Sequence, residues 1–269
     1  MKIHLASASG NVFAYLWADE VPATFDGSRW AQVLCPRGTA LGLDGIFLLR
    51  RPTAGPWVME HWDVDGGATF CSNGTRAALG VPGAPTGDQV DVLSNGQAVQ
   101  LRRQGNTVGL RLPEGEGFGL KPLPSVGLHD AQAAFGFVGN PQLVVRVPSV
   151  KDVDLATFAP PLRHHPAIPG GTNVNVVEVL TPGHARIRSW ERGVEGETLC
   201  CGTGCSVTAA WLAATQGGTT WELETASGDP VTVTLAWAEP GQWTNLWLSG
   251  PVRGLGTLEP GPAFAGLSG

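Results

Sequence analysis

The sequence predicts an α+β protein built as two similar halves. A short cysteine-headed segment occurs once in each half, Cys71-Ser72-Asn73-Gly74 and Cys201-Gly202-Thr203-Gly204, and each runs into alanine-rich sequence. The two cysteines lie 201 − 71 = 130 residues apart in a chain of 269, close to half its length, as expected of a duplicated unit. Most of the remainder reads as short strands, and the 38 Gly and 21 Pro fall largely between the apolar runs. Tight turns between strands are therefore expected rather than a helical bundle.

Runs rich in β-branched and apolar residues predict strands at 98–101, 107–112, 142–147, 174–180, 185–190, 231–237 and 244–248. Helix is predicted just after each cysteine, because Ala and Leu favour it and Asn73 or Thr203 can cap it. A shorter helix is predicted at Leu155–Phe158. The segment from Pro113 to Pro122 is rich in Gly and Pro and has no apolar period, so it reads as a linker. It divides the chain into an N-terminal domain, 1–118, carrying Cys71 and a C-terminal domain, 119–251, carrying Cys201.

With 42% hydrophobic residues, both halves can bury cores. A net charge of −6 gives no electrostatic attraction to nucleic acid or to an anionic membrane, so a small solute is the expected partner. No apolar run approaches the roughly 20 residues that span a bilayer, and the opening residues lack the apolar core of a secretory signal. A cytoplasmic protein is expected. The five cysteines are odd in number and irregularly spaced, which favours free thiols. The only lysines, Lys2, Lys121 and Lys151, sit in no motif, so no Schiff-base partner for pyridoxal phosphate is evident and no cofactor is expected.

A thiol at a helix N-terminus meets free N–H groups and the positive end of the helix dipole, which lower its pKa from about 8.5 toward neutrality. The same N–H groups can hold a substrate carboxylate. A reaction that inverts a carbon centre needs a proton acceptor on one face and a proton donor on the other, and Cys71 and Cys201 are placed for that pair of roles. A lone cysteine is ordinarily a small buried hydrophobe, but here repeat position and helix-head context coincide. Cys200, Cys201 and Cys205 invite a thiol redox or metal-binding reading. Zinc sites, however, usually carry closely spaced pairs such as C-x₂-C, so Cys35, Cys200 and Cys205 are read as packing residues and no metal is expected. His164-His165 reads as a solvated turn, and Gly42-Leu43-Asp44-Gly45 lacks the Gly-Lys-Ser/Thr of a phosphate loop.

Five blocks resemble one family, the diaminopimelate epimerases, which epimerise an amino acid without pyridoxal phosphate. They are Ser9-Gly10-Asn11-Val12-Phe13, Cys35-Pro36-Arg37 with Leu41 to Gly45, Asp63-Val64-Asp65-Gly66 with Cys71 to Arg76, Gly139-Asn140-Pro141 with Gly171 to Asn175, and Trp190 to Gly204. The resemblance implies two pseudo-symmetric domains, each a curved or barrel-like mixed sheet around a central helix, with the tail 252–269 returning to the first. It implies that Cys71 and Cys201 are the acid–base pair and that the protein is a homodimer.

It further implies that Asn11, Asn140, Asn173 and Arg192 hold the distal ammonium and carboxylate of the substrate. Arg192 would make the bidentate carboxylate contact. Glu191 would lie near the reacting end, and Asn73, Gly202 and Thr203 would offer N–H groups to the reacting carboxylate. Asp44, Asp63 and Ser72 complete the implied substrate shell. Three positions depart from the family pattern: Gln142 replaces a histidine, Asp63 an asparagine and Ser72 a glycine. The function expected is interconversion of LL- and meso-diaminopimelate in lysine biosynthesis. A racemase of another amino acid, such as histidine, is the alternative on the same scaffold.

Overall fold

The computed structural model describes residues 1–38, 40–51, 54–130 and 132–261. They form two compact units, one comprising Met1–Leu110 with the chain from Pro251, the other Arg111–Gly250. No helix among the described residues is long and apolar enough to cross a membrane.

In the first unit the strands Ile3–Ala8, Asn11–Trp17, Gly45–Arg50, Trp57–Trp62, Gln89–Ser94, Gln97–Gln104 and Thr107–Arg111 neighbour one another in chain order. The end of the last strand, Gln242–Leu258, closes them into a ring of eight by pairing with the first, Ile3 opposite Leu258 and Ala8 opposite Val252. The tail beyond residue 261 lies outside the described residues.

Two strand pairs in this ring are parallel, and each needs a crossover. The first crossover carries α1, Gly27–Leu34, whose Asp26 caps it by accepting from the Arg29 N–H. Trp30, Ala31 and Leu34 of α1 pack on Ala14, Leu16, Ile46 and Leu48. The second crossover carries α2, Ser72–Ala77, every residue of which is buried. α2 fits because Gly74 stands at its tightest contact, while its long side chain, Arg76, is buried in the last turn. A Cβ on Gly74 would lie 2.3 Å from a ring carbon of Phe47, and Phe47 is held by edge contact with Phe13 and stacking on Tyr15.

The second unit repeats this plan. Its strands run Gly119–Lys121, Ala133–Phe137, Pro141–Arg146, Asn173–Thr181, His184–Glu191, Thr220–Glu224, Pro230–Glu239 and the start of Gln242–Leu258, again as successive neighbours. Two pairs are parallel. The first crossover carries α3, Leu155–Arg163, which packs Leu155 and Ala159 on Val174 and Val176. The second carries α4, Gly202–Gln216, buried on every face from Gly202 to Ala213. In both units the cysteine-headed helix is thus the second crossover and the one enclosed by strands. The segment read as a linker is fixed to the second unit: Glu114 accepts from the Asn245 N–H at 2.6 Å, and the Trp243 indole donates to the Pro113 carbonyl at 3.3 Å.

Sequence reasoning found the strands of the second half better than those of the first. α1 went unpredicted because it is only eight residues long, although its four buried positions, Gly27, Trp30, Ala31 and Leu34, are helically spaced. α3 runs on past its predicted end at Phe158, through Pro160 and Pro161, to Arg163.

The packing of α2 yields a test. Gly74→Ala should lower the unfolding free energy by about 1–3 kcal/mol, because overpacking against an immobilised ring outweighs the helix preference of alanine, worth about 1 kcal/mol. Urea denaturation checks this, and an undiminished midpoint contradicts the packing described.

Candidate active site

Both cysteines take the N-cap position itself. Cys71 has φ −121° and ψ 112°, and Cys201 has φ −96° and ψ 103°, extended conformations from which the chain turns into α2 and α4. The Cys71 thiol accepts from the Gly74 N–H at 3.5 Å, the contact that a capping side chain makes. Asn73 and Thr203, expected from the sequence to cap the helices, stand instead two residues further in. A sulfur can replace the usual capping oxygen because the turn geometry is unchanged.

At the head of α2 the structure brings Asn11 and Asn73 together: the Asn73 amide donates to Asn11 Oδ1 at 2.8 Å. The Asn73 carbonyl oxygen accepts from Arg76 Nη2 at 3.0 Å, and the same guanidinium nitrogen donates to Ser9 Oγ at 2.8 Å. Ser72 is buried at the first helical position. Asp44 is engaged elsewhere, accepting the Val12 N–H at 2.8 Å and lying 3.7 Å from the Arg37 guanidinium. It pins the start of the strand Asn11–Trp17.

Asp63 accepts from the Thr69 hydroxyl at 2.7 Å and keeps 42% of its side chain exposed. Its other oxygen lies 3.7 Å from Nε2 of His61, a fully buried residue that sequence reasoning missed. His61 stacks on Phe47 with ring centroids 4.4 Å apart, and its Nδ1 lies 3.0 Å from the Thr69 carbonyl. A carbonyl only accepts, so Nδ1 carries the hydrogen. Burial lowers the His61 pKa, against the smaller opposing pull of Asp63. The ring stays neutral.

At the head of α4, Cys201 receives Asn173 Nδ2 and Gln142 Nε2, each at 3.8 Å, and lies 3.5 Å from the Thr203 hydroxyl. Burial pushes the Cys201 thiol well above the ordinary thiol range, and the Glu191 carboxylate adds to the rise. The Thr203 hydroxyl and the Gly204 N–H pull the other way. The helix dipole alone would lower the value; desolvation outweighs it here and reverses the direction.

Asn140, Asn173 and Gln142 gather around Cys201, with Gln142 Nε2 2.9 Å from Asn140 Oδ1. Asn173 Oδ1 accepts from the Arg192 N–H at 2.7 Å, which links the two predicted binding residues through the backbone. Glu191 accepts from the Thr198 hydroxyl at 2.5 Å. The Arg192 guanidinium reaches the Gly170 carbonyl at 3.3 Å. It also borders a cavity of about 480 Å³ lined by Phe135, Phe137, Pro141 and Ile168. Asn175 and Ser189 are fully engaged behind Gln142 and were not singled out in the sequence. The alternation of Asn173-Val174-Asn175-Val176 in one strand carried the signal, since it sets both amides on one face.

The profile of a family described as diaminopimelate epimerase matches residues 136–252. A diaminopimelate epimerase of a Synechococcus species is 30% identical, over 100% of this chain and 98% of its own length. One from Methanothrix thermoacetophila is 33% identical over 88% of each. Among solved structures, a phenazine biosynthesis protein of the PhzF family from Enterococcus faecalis superposes with a TM-score of 0.70 at 11% identity, over 97% of this chain and 98% of its own. That likeness concerns the fold alone.

The neutral, buried His61 gives this region a signature in stability. Its folded pKa lies below the unfolded value of 6.5, so below that pH the unfolded chain takes up a proton that the folded one refuses. Stability should fall as the pH drops from about 6.5 toward the depressed folded value. His61→Gln should flatten that part of the profile, as read by urea unfolding at several pH values; an unaltered slope contradicts a neutral His61.

Proposed function

The chain belongs to the diaminopimelate epimerase family, and from that premise we propose that it interconverts LL- and meso-diaminopimelate by two-base proton transfer. The observation that carries this reading is the repeated placement of a cysteine at the N-cap of the enclosed helix, Cys71 on α2 and Cys201 on α4. One thiolate removes the α-hydrogen from one face of the substrate while the other thiol delivers a proton to the opposite face. The reverse reaction exchanges their roles.

An α-hydrogen of an amino acid is a poor acid. Without an electron-sink cofactor its removal needs a base shielded from water and hydrogen-bond donors aimed at the carboxylate as it becomes enolate-like. The N–H groups of Asn73, Gly202 and Thr203 are assigned to that carboxylate, with Ser72 beside them. At the distal end Arg192 pairs with the carboxylate, and Asn11, Asn140 and Asn173 contribute amides. Asp63, charged and half-exposed, takes the distal ammonium, and Glu191 stands near the reacting end. Asp44 is left to its structural contacts. The reaction belongs to lysine biosynthesis in the cytoplasm, and the working form is a homodimer, which sedimentation would test.

A second reading is favoured by Asp63, whose charge stands where the family carries a neutral amide: racemisation of another amino acid with a basic side chain, such as histidine. Solvent-deuterium incorporation at the α-carbon of each offered amino acid separates the two. Metal analysis and thiol titration separate both from a thiol redox role.

Cys71→Ala and Cys201→Ala should each lower the epimerisation rate by about 10²–10⁴-fold or more with circular dichroism unchanged. Near-parental turnover in either folded variant removes the two-base mechanism. Arg192→Ala should lose roughly tenfold to a hundredfold in kcat/KM on diaminopimelate, the cost of an unpaired buried carboxylate. It should gain no comparable rate on lysine. Faster α-proton exchange with histidine than with diaminopimelate would install the second reading in place of the first.

A further inference from the structure

Behind Cys201 lies a chain of buried side chains whose hydrogen bonds can run in only one direction. Asn175 Nδ2 donates to the backbone carbonyl of Leu143 at 3.2 Å. A carbonyl has no hydrogen to give, so the nitrogen of the Asn175 amide must face it. The Asn175 oxygen is then turned to Ser189, whose hydroxyl donates to it at 2.7 Å. The second Asn175 N–H points at Gln142, 2.9 Å away, and the atom receiving it must be the carboxamide oxygen. With that oxygen fixed, the Gln142 NH₂ faces forward, 2.9 Å from Asn140 Oδ1, 2.9 Å from Thr203 Oγ1 and 3.8 Å from Cys201 Sγ. Thr203 accepts from Gln142, which leaves its own hydrogen for the Cys201 sulfur at 3.5 Å.

We propose that this relay, Ser189 to Asn175 to Gln142 to Thr203, is a positioning device that presents hydrogen-bond donors to Cys201 and so holds its sulfur as an acceptor. Gln142 and Thr203 are its working residues, and Leu143 sets its direction. The Thr203 hydroxyl and the Asn173 amide reach the sulfur at 3.5 and 3.8 Å, the Gln142 NH₂ whose hydrogens go to Asn140 and Thr203 stands 3.8 Å from it, and the acceptor that faces it, Gln142 Oε1, lies at the outer limit of 4.0 Å. All of these residues but Asn140 are buried. Glu191 and Cys200 are the titratable groups whose charges act on Cys201, and both oppose the thiolate. The relay works against them and against burial. An amide and a hydroxyl do not titrate near neutrality, so its polarity holds at every working pH.

The inference rests on the proposed acid–base use of Cys201, and its test reads the thiol rather than the reaction. Alkylation by iodoacetamide, localised to Cys201 by tandem mass spectrometry, would be followed across pH in the parent protein, Thr203→Val and Gln142→Glu. Thr203→Val keeps the shape and removes the last donor, so the alkylation midpoint should rise by about one pH unit. Gln142→Glu keeps the oxygen that Asn175 requires but replaces the donor with a carboxylate, and its midpoint should rise further. Should Gln142→Glu fail to fold, Thr203→Val decides alone. A midpoint that stays or falls in folded Thr203→Val overturns the relay. If the midpoints rise while the parent exchanges no α-proton of diaminopimelate, the relay stands and the functional reading falls; epimerase activity with unmoved midpoints sinks the relay alone.

Discussion

The constraint on which the rest depends is the burial of a helix head among strands, once in each unit. The head of an enclosed helix meets its neighbours at close range, which explains the glycine in both motifs, while Arg76, Trp211 and Leu212 are buried further along. Gly74 lies under Phe47, and a Cβ on Gly204 would come within 2.2 Å of Asn175 Oδ1. The first N–H groups of such a helix have no partner within the helix, and enclosure removes water as a substitute. A thiol at the N-cap satisfies one of them, as Cys71 does for Gly74. Capping and the proposed proton transfer therefore draw on the same atom.

Enclosure also sets the electrostatic problem. A helix dipole favours a nearby anion by about 0.3–1 kcal/mol, reaching about 2 kcal/mol in sheltered geometry. Full burial can shift a titrating group by up to roughly 3–5 pKa units, several kcal/mol in the opposite sense. The upward displacement of Cys201 follows from that imbalance. Short-range donors are what remain to oppose it, and the amide cluster of Asn173 and Gln142 with the Thr203 hydroxyl occupies that place. On the proposed mechanism, water exclusion, which a carbon base requires, and thiolate formation are thus competing demands on one arrangement of side chains.

Much of this was legible in the sequence because the helix head is a local motif. Cysteine, small residue, polar residue and glycine followed by alanine declare a tight helix start, and their recurrence after 130 residues declares the duplication. The barrel form rested on the resemblance of the motifs to a family, since period-2 patterns do not say which strands close a ring. What stayed hidden depends on partners distant in sequence. His61 gave no local signal, as its neutrality comes from burial against Phe47, a residue distant in sequence. Asp44 carried a motif-like setting, but its carboxylate is committed to Val12 and Arg37. The N-cap position falls to the cysteines rather than to Asn73 and Thr203, with a capping contact from the Cys71 thiol; thiols seldom cap, so residue preference pointed to the wrong side chain.

The two units share their crossovers but not their polar surroundings. Around α2 the charged groups are the buried Arg76 guanidinium and the Asp63 carboxylate, whereas around α4 uncharged amides contact the sulfur and the charges of Glu191 and Arg192 stand further out. Duplication fixed what the enclosed helix demands of the backbone and left the shell free to diverge. The two thiols therefore sit in unequal electrostatic settings. On the proposed mechanism they hold one proton between them and pass it through the substrate, so inequality biases where that proton rests but not the equilibrium between epimers. A protein with this asymmetry can run in either direction, and its two sulfurs should differ in reactivity when no substrate is bound.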